Sequence, residues 1–154
     1  MTERVYVETS VVGGVFDKEF DLQSELFWDK VQKSEIVVIV SDLLTTELEG
    51  APKHVRDFFD GLPKSQVERV FATEESNRLA TRYISENVVG ESSLDDCRHI
   101  AMATLAHADV LVSWNFKHIV NRREGYNGVN QRLGYPEIEI QTPHCYNEVN
   151  DDET

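Results

Sequence analysis

The sequence predicts an α/β fold, a three-layer α/β/α sandwich around a central, mainly parallel sheet. Strand-like and helix-like segments alternate along the chain, as crossover connections between parallel strands require. The segment IVVIV, Ile36 to Val40, is also apolar at every position instead of every second one. A strand of that kind is covered by helices on both faces. At 154 residues and 40% hydrophobic content, the chain is long enough for one sizeable core and too short for two domains.

The first strand is expected at Arg4 to Glu8, followed by a turn through Gly13 and Gly14. A helix from Asp21 to Lys33 follows, with Leu22, Leu26, Phe27 and Val31 as its apolar stripe. After Ile36 to Val40, Ser41 is a good N-cap for a helix from Asp42 to Glu49, which Gly50 and Pro52 close. Further helices are expected at Pro52 to Phe59 and from Thr73 as cap to Asn87, with a short strand, Val67 to Phe71, between them. Ser93 starts the helix Leu94 to His107, whose Ala101, Ala103 and Ala106 permit close packing on a sheet. Cys97 reads as part of that helix's core. Asp109 to Asn115 is the next strand and its exit, and Ile138 to Ile140 the last strand. Residues 1–143 are thus expected to form one domain and 144–154 an acidic, fraying tail.

Composition narrows the function classes. The longest apolar run falls far short of the roughly 18 residues of a membrane span, and the N-terminus enters a strand with no secretory-type leader. A cytoplasmic protein without membrane attachment is expected. The two cysteines, Cys97 and Cys145, fit neither a disulfide framework nor a zinc-ligand spacing. The net charge of -13, still -9 without the four acids of the segment 148–154, argues against non-specific nucleic-acid binding over the whole surface. Against this background Lys117 to Arg132 is locally basic, through Lys117, Arg122, Arg123 and Arg132. It is either a solvated loop or a rim that touches phosphates.

Open parallel sheets bind ligands outside the carboxyl ends of their strands. Glu8 stands at such an end, Glu47 in the helix after the second strand, and Asp96 in the first turn of a later helix, on the side with His99, Ile100 and Ala103. The helix dipole alone would account for Asp95 and Asp96. If Glu8, Glu47 and Asp96 converge, carboxylates about 4 Å apart repel by roughly 4 kcal/mol per pair at an effective dielectric near 20. Such a cluster needs a cation or protons, and hard oxygen ligands suit Mg²⁺ or Mn²⁺. An ion of this kind activates water and neutralises charge on a phosphodiester. The chain has no GxGxxG, no P-loop motif, and no aspartate at the first strand tip to serve as a phosphotransfer nucleophile.

The order of strand-ETS, an acid after the second strand, D-x-x-H-I-A-x-A and ADVLVSWN resembles the PIN-domain family. Within it the likeness is to VapC-like toxins, and the pairing of ETS with SWNFKHIVN resembles one subgroup. The resemblance covers roughly residues 4–143. It implies a metal-dependent endoribonuclease with Glu8, Glu47, Asp96 and Asn115 at the catalytic positions, and Glu8 and Asp96 as ligands of Mg²⁺ or Mn²⁺. Thr9 and Ser10 are implied as supporting hydroxyls, Ser10 foremost. Two positions depart from the family pattern: Glu8 stands for the usual aspartate, and Asn115 for a common fourth one, leaving its carbonyl oxygen as the available ligand. One tightly held ion at most is therefore expected, with any second ion arriving with substrate.

His118 reads either as a proton donor or phosphate contact, or as a capping residue. His99 reads as a packing residue with one buried hydrogen bond, and Trp114 as packing or, less simply, a base-stacking ring. Lys117, Arg122 and Arg123 are the candidate RNA contacts. The resemblance also implies an RNA substrate and a VapB-like antitoxin on the helices Asp21 to Lys33 and Pro52 to Phe59. It further implies a homodimer through the helix around Leu79 and Tyr83. The competing reading is a catalytically weak or inactive scaffold that binds RNA or protein.

Overall fold

Val5 and Val7 point to one side of the first strand and Tyr6 to the other, and the same alternation recurs at Val38, Ile39, Val40 and at Val110, Leu111, Val112. Both sides are apolar, so the sheet is buried on both faces and two cores form. The computed structural model describes residues 2–147. In chain order the elements are β1 (Glu3–Val7), α1 (Thr9–Gly13), α2 (Asp21–Gln32), β2 (Ile36–Ser41), α3 (Asp42–Glu49), α4 (Lys53–Asp60), β3 (Val67–Val70), α5 (Glu74–Ser85), α6 (Leu94–Leu105), β4 (Val110–Val112), α7 (Arg123–Leu133) and β5 (Glu139–Gln141).

The five strands are all parallel, in the order β3-β2-β1-β4-β5. One core joins Val5, Val7, Val38 and Val112 to Phe27 and Trp28 of α2 and to Val55 and Phe59 of α4. The other joins Tyr6, Ile39 and Leu111 to α5, α6 and α7. This is the predicted three-layer α/β/α architecture. Among the described residues no helix is long and apolar enough to cross a membrane.

Local signals set most boundaries. Ser41 caps α3 by accepting the Leu44 N–H at 3.1 Å, and Thr73 and Ser76 cap α5 reciprocally. Ala101 and Ala103 are fully buried, as close helix-to-sheet packing demands.

Four expectations need correction. The inward stripe of α2 is Ser24, Phe27, Trp28 and Val31, a regular helical spacing, while Leu22 and Leu26 are 62% and 43% exposed. Trp28 supplies the reason: its indole N–H donates to the Val11 carbonyl at 3.1 Å, which turns the helix so that the leucines face out. The second correction concerns Leu79 and Tyr83, which are buried against the domain's own core, so they cannot form a dimer surface. The exposed side of α5 is polar, with Glu75, Arg78 and Arg82.

Thirdly, the basic stretch up to Arg132 is not a loop throughout. From Arg123 it is α7, which buries Tyr126, Val129 and Asn130 and ends at Gly134 in the left-handed region, φ 83°. Lastly, packing continues past residue 143. Tyr146 lies edge-on to Phe27, and the Asn147 amide donates to the Gln23 carbonyl at 2.7 Å. The remainder of the expected tail, 148–154, lies outside the described residues.

Gly14 seats the turn after α1 against the core. A Cβ there would sit 2.7 Å from both Ser24 Oγ and Trp114 Nε1, whereas one on Gly13 would meet nothing within 4 Å. Gly14→Ala is expected to cost about 1–3 kcal/mol through overpacking, lowering the melting temperature by about 3 to 10 °C. Gly13→Ala, in helical backbone, is expected to leave it unchanged or slightly higher. Thermal denaturation followed by circular dichroism separates the two.

Candidate active site

The strand order runs outward in both directions from the β1/β4 pair, and the crevice at such a reversal is where open parallel sheets bind ligands. Glu8 leaves β1 at that point and Ser113 to Asn115 leave β4 beside it. The Glu8 N–H donates to the Val112 carbonyl at 3.1 Å, prolonging the β1–β4 pairing by one bond. The Glu8 side chain, in a residue only 6% exposed, accepts at Oε1 from the hydroxyls of Ser10 at 2.5 Å and Ser113 at 2.7 Å. Each serine oxygen in turn accepts a backbone N–H, Ser10 from Trp114 at 2.8 Å and Ser113 from Asn115 at 2.9 Å. One carboxylate thus ties both strand ends and the start of α1 together.

Asp96, half-buried in the first turn of α6, accepts from the Asn115 side-chain amide at 3.3 Å. The Asn115 carbonyl oxygen accepts the His118 N–H at 3.0 Å, and this fixes which way the amide points. Asn115 therefore faces Asp96 with a donor, while its carbonyl oxygen is engaged by the backbone. Burial pushes the Asp96 carboxyl above the ordinary range, and the charges of Glu8 and Glu47 add to the rise against the opposing pull of His118 and His99.

Glu47, on α3, accepts at Oε1 from Thr9 Oγ1 and His99 Nε2, each at 2.7 Å. Burial raises its pKa, but the hydrogen bond and charge of His99, with the Thr9 hydroxyl, outweigh burial and hold the group below the usual carboxylate range. His99 is buried, and its Nδ1 lies 2.6 Å from the hydroxyl of the fully buried Tyr6. Burial drives the Tyr6 phenol far above its ordinary value, so it keeps its proton. The ionised Glu47 carboxylate can only accept, so His99 Nε2 carries a proton and donates it there. A chain of hydrogen bonds so runs from the sheet interior through His99 to the crevice.

The three acids share one crevice, but each has its own donors. Glu8 Oε2, Glu47 Oε2 and Asp96 Oδ2 carry no hydrogen bond within the described residues. Among those residues no three His, Cys, Asp or Glu side chains are grouped closely enough to hold a metal ion. Closure of the acids into one cage is therefore not found. What the crevice offers is hard oxygen from one or two carboxylates, the number by which Mg²⁺ is commonly held while it retains several waters.

The remaining expectations resolve residue by residue. Ser10 donates to Glu8, and Thr9 to a different acid, Glu47. His99 does more than pack, since it positions Glu47. Trp114 is 5% exposed, stacked on Phe20 at 4.4 Å and bonded to Ser24, so it is not a base-stacking platform. His118 is half-buried, with its N–H and carbonyl engaged by Asn115 and Tyr126. Lys117, Arg122 and Arg123 are exposed and within 4 Å of no acid among the described residues. The sequence reading does not single out Tyr6 or Ser113. The signals available were a tyrosine between two buried valines and a hydroxyl closing the apolar run VLVS.

Because the Asp96 pKa is higher in the folded than in the unfolded state, its ionisation opposes folding. That penalty is absent below about pH 4, the unfolded value, and stability is lost as pH rises through the folded value. Asp96→Asn removes the penalty. In metal-free buffer its melting temperature should exceed the parent's by about 1 to 4 °C at neutral pH and match it at the acid end. A second expectation concerns the buried relay: Tyr6→Phe and His99→Phe should each cost about 1–3 kcal/mol by leaving a buried polar group unpaired. The double variant should be less destabilised than the sum, which a double-mutant cycle in urea measures.

No protein-family model matches the chain, and no curated protein is significantly similar to it. Solved structures do match. One is the VapBC2 complex of Rickettsia felis bound to a DNA fragment from its promoter, at 14% identity and a TM-score of 0.57, covering 90% of this chain and 98% of that one. Another is VapC20 of Mycobacterium tuberculosis, a sarcin–ricin loop-cleaving toxin, at 13% identity and a TM-score of 0.58, covering 87% and 98%. The chain has the α/β fold of these VapC structures.

Proposed function

We propose that the protein is a metal-dependent endoribonuclease, the toxin of a type II toxin–antitoxin pair. The observation that carries this reading is the pairing of Glu8 with a destabilised Asp96 in the crevice at the β1/β4 strand ends. Two mutually repelling carboxylates, each with an oxygen to spare, suit a hard divalent cation. Fold similarity to a toxin described as cleaving the sarcin–ricin loop supports RNA as the substrate. The neighbour described as VapBC2 supports a VapB-like antitoxin as partner. Leu22 and Leu26, exposed on α2, give such a partner an apolar face. A homodimer remains part of the reading, through a face other than Leu79 and Tyr83, as does action in the cytoplasm.

Glu8 and Asp96 would hold Mg²⁺ or Mn²⁺, which when bound neutralises phosphodiester charge and lowers the pKa of water. Ser10 and Ser113 fix the Glu8 carboxylate. Glu47, kept ionised by His99 and Thr9, accepts a proton from the attacking water through its second oxygen. His118, close enough to Asp96 to affect its charge, donates to the departing oxygen. Lys117, Arg122 and Arg123 contact phosphates of the strand.

One observation favours a second reading, a weakly active or inactive scaffold that binds RNA or protein. Asn115 places an amide donor, and no fourth negative charge, against Asp96. Cleavage of single-stranded RNA by the purified protein decides between them. With Mg²⁺ or Mn²⁺ the expected result is endonucleolytic cleavage that a chelator stops and that Asp96→Asn reduces about 100-fold or more. Cleavage indifferent to Asp96→Asn removes this residue from the chemistry, and no cleavage of any RNA with either metal favours the scaffold. Glu8→Asp, which withdraws the carboxylate from its two serines by a methylene, is expected to lower activity about 10-fold in the same assay. Equal or higher activity would mean that the longer side chain is not required.

A further inference from the structure

A groove of about 540 Å³ opens from the crevice, and Thr9 and Glu47 form its inner end. Its outer walls are the turn after α1, carrying Phe16 and Lys18, and the start of α4, carrying Pro52 and His54. Phe16 is 47% exposed. It meets His54 edge-to-face at 4.6 Å and Phe58 at 6.1 Å, so its plane is fixed while nearly half of the residue stays in contact with solvent. The His54 ring makes no hydrogen bond within the described residues, and Lys18 has no acidic partner within 4 Å there. The fold does not require an apolar ring at this place, since the turn is already seated by Gly14 against Ser24 and Trp114.

We infer that this groove is a nucleobase subsite, in which a base adjoining the scissile phosphate stacks on Phe16 with His54 at its polar edge and Lys18 on the adjoining phosphate. The inference rests on the ribonuclease reading and adds to it the position of a neighbouring base. Three features select a nucleotide as occupant. The groove is continuous with the residues that face the reacting phosphate, so an occupant joined to that phosphate enters it without leaving the strand. An immobilised aromatic ring binds any base by its π-face. An imidazole supplies ring nitrogens for hydrogen bonds to a base edge, and the unpaired ammonium of Lys18 complements a phosphate in a protein whose net charge is otherwise strongly negative.

The test uses the full chain and short single-stranded oligo(A), oligo(C), oligo(G) and oligo(U). Cleavage with Mn²⁺ is followed for the parent and for Phe16→Ala, Phe16→Leu and Phe16→Tyr. Binding of the same labelled RNAs is measured by fluorescence anisotropy in an Asp96→Asn background. Loss of a stacked base should raise KM and Kd about 5- to 100-fold in Phe16→Ala and Phe16→Leu, with a smaller change in kcat. Phe16→Tyr should restore both, and Phe71→Ala, a change at a more exposed ring beyond β3, should change neither. Phe16→Leu keeps an apolar side chain but no π-face, so a defect there shared with Phe16→Ala and absent from Phe16→Tyr is one of stacking.

Unchanged KM and Kd in Phe16→Ala overturn the subsite while leaving the ribonuclease reading intact. RNA binding that depends on Phe16 in a protein that cleaves nothing upholds the subsite and removes the ribonuclease reading. Retained RNA binding, with loss only of binding to a protein partner, makes the groove a protein-docking site and overturns the inference.

Discussion

Negative charge gathered where two strands end is the constraint on which the rest of this molecule depends. Bringing Glu8, Glu47 and Asp96 to one crevice is unfavourable unless each is separated from the others or compensated. The fold compensates them separately. Two serine hydroxyls hold Glu8, a histidine and a threonine hold Glu47, and an asparagine amide holds Asp96. The result is unequal: Glu47 is favoured as an anion, and Asp96 is disfavoured as one. A site in which one acid is easily protonated and another is not has its charge distribution arranged before any ligand arrives.

The donors are themselves held by the core. His99 is kept in place by Tyr6, which belongs to the central strand and lies in the second apolar cluster. Ser10 is held through Trp114, whose indole reaches Ser24 on the opposite layer. Polar groups buried at these depths are tolerated because each is paired. The positions of the acids therefore depend on packing on both faces of the sheet and not on the loops around them.

Much of this was legible in the sequence because the relevant signals were local. IVVIV could only be a strand covered twice, Ser41 and Thr73 announced their helices, and Glu8 interrupted an apolar run at its last position. Three kinds of information were not carried by the sequence pattern. The rotation of α2 depends on an indole finding a carbonyl in α1, which no periodicity contains. The helix α7 was hidden by Gly125 and Gly128 and by a weak apolar pattern around Tyr126 and Val129. The third was the direction of the Asn115 amide, set by a single backbone N–H three residues on. His99 shows the limit most plainly: its apolar neighbours in sequence place it in the core, yet its polar partners Tyr6 and Glu47 come from β1 and α3.

The serine contacts to Glu8 also bear on how the central strands find their alignment. β1 and β4 meet mainly through valines, and Val5, Val7, Val110 and Val112 are similar enough in shape for many sliding arrangements to look alike to the core. A slip of one residue exchanges the two faces of a strand, but a slip of two preserves them. Glu8 distinguishes even that case, because only one alignment brings its carboxylate to Ser113 and its N–H to the Val112 carbonyl. The acid at the strand tip acts as an index mark, and the same contact that prepares the crevice for chemistry proofreads the pairing of the sheet.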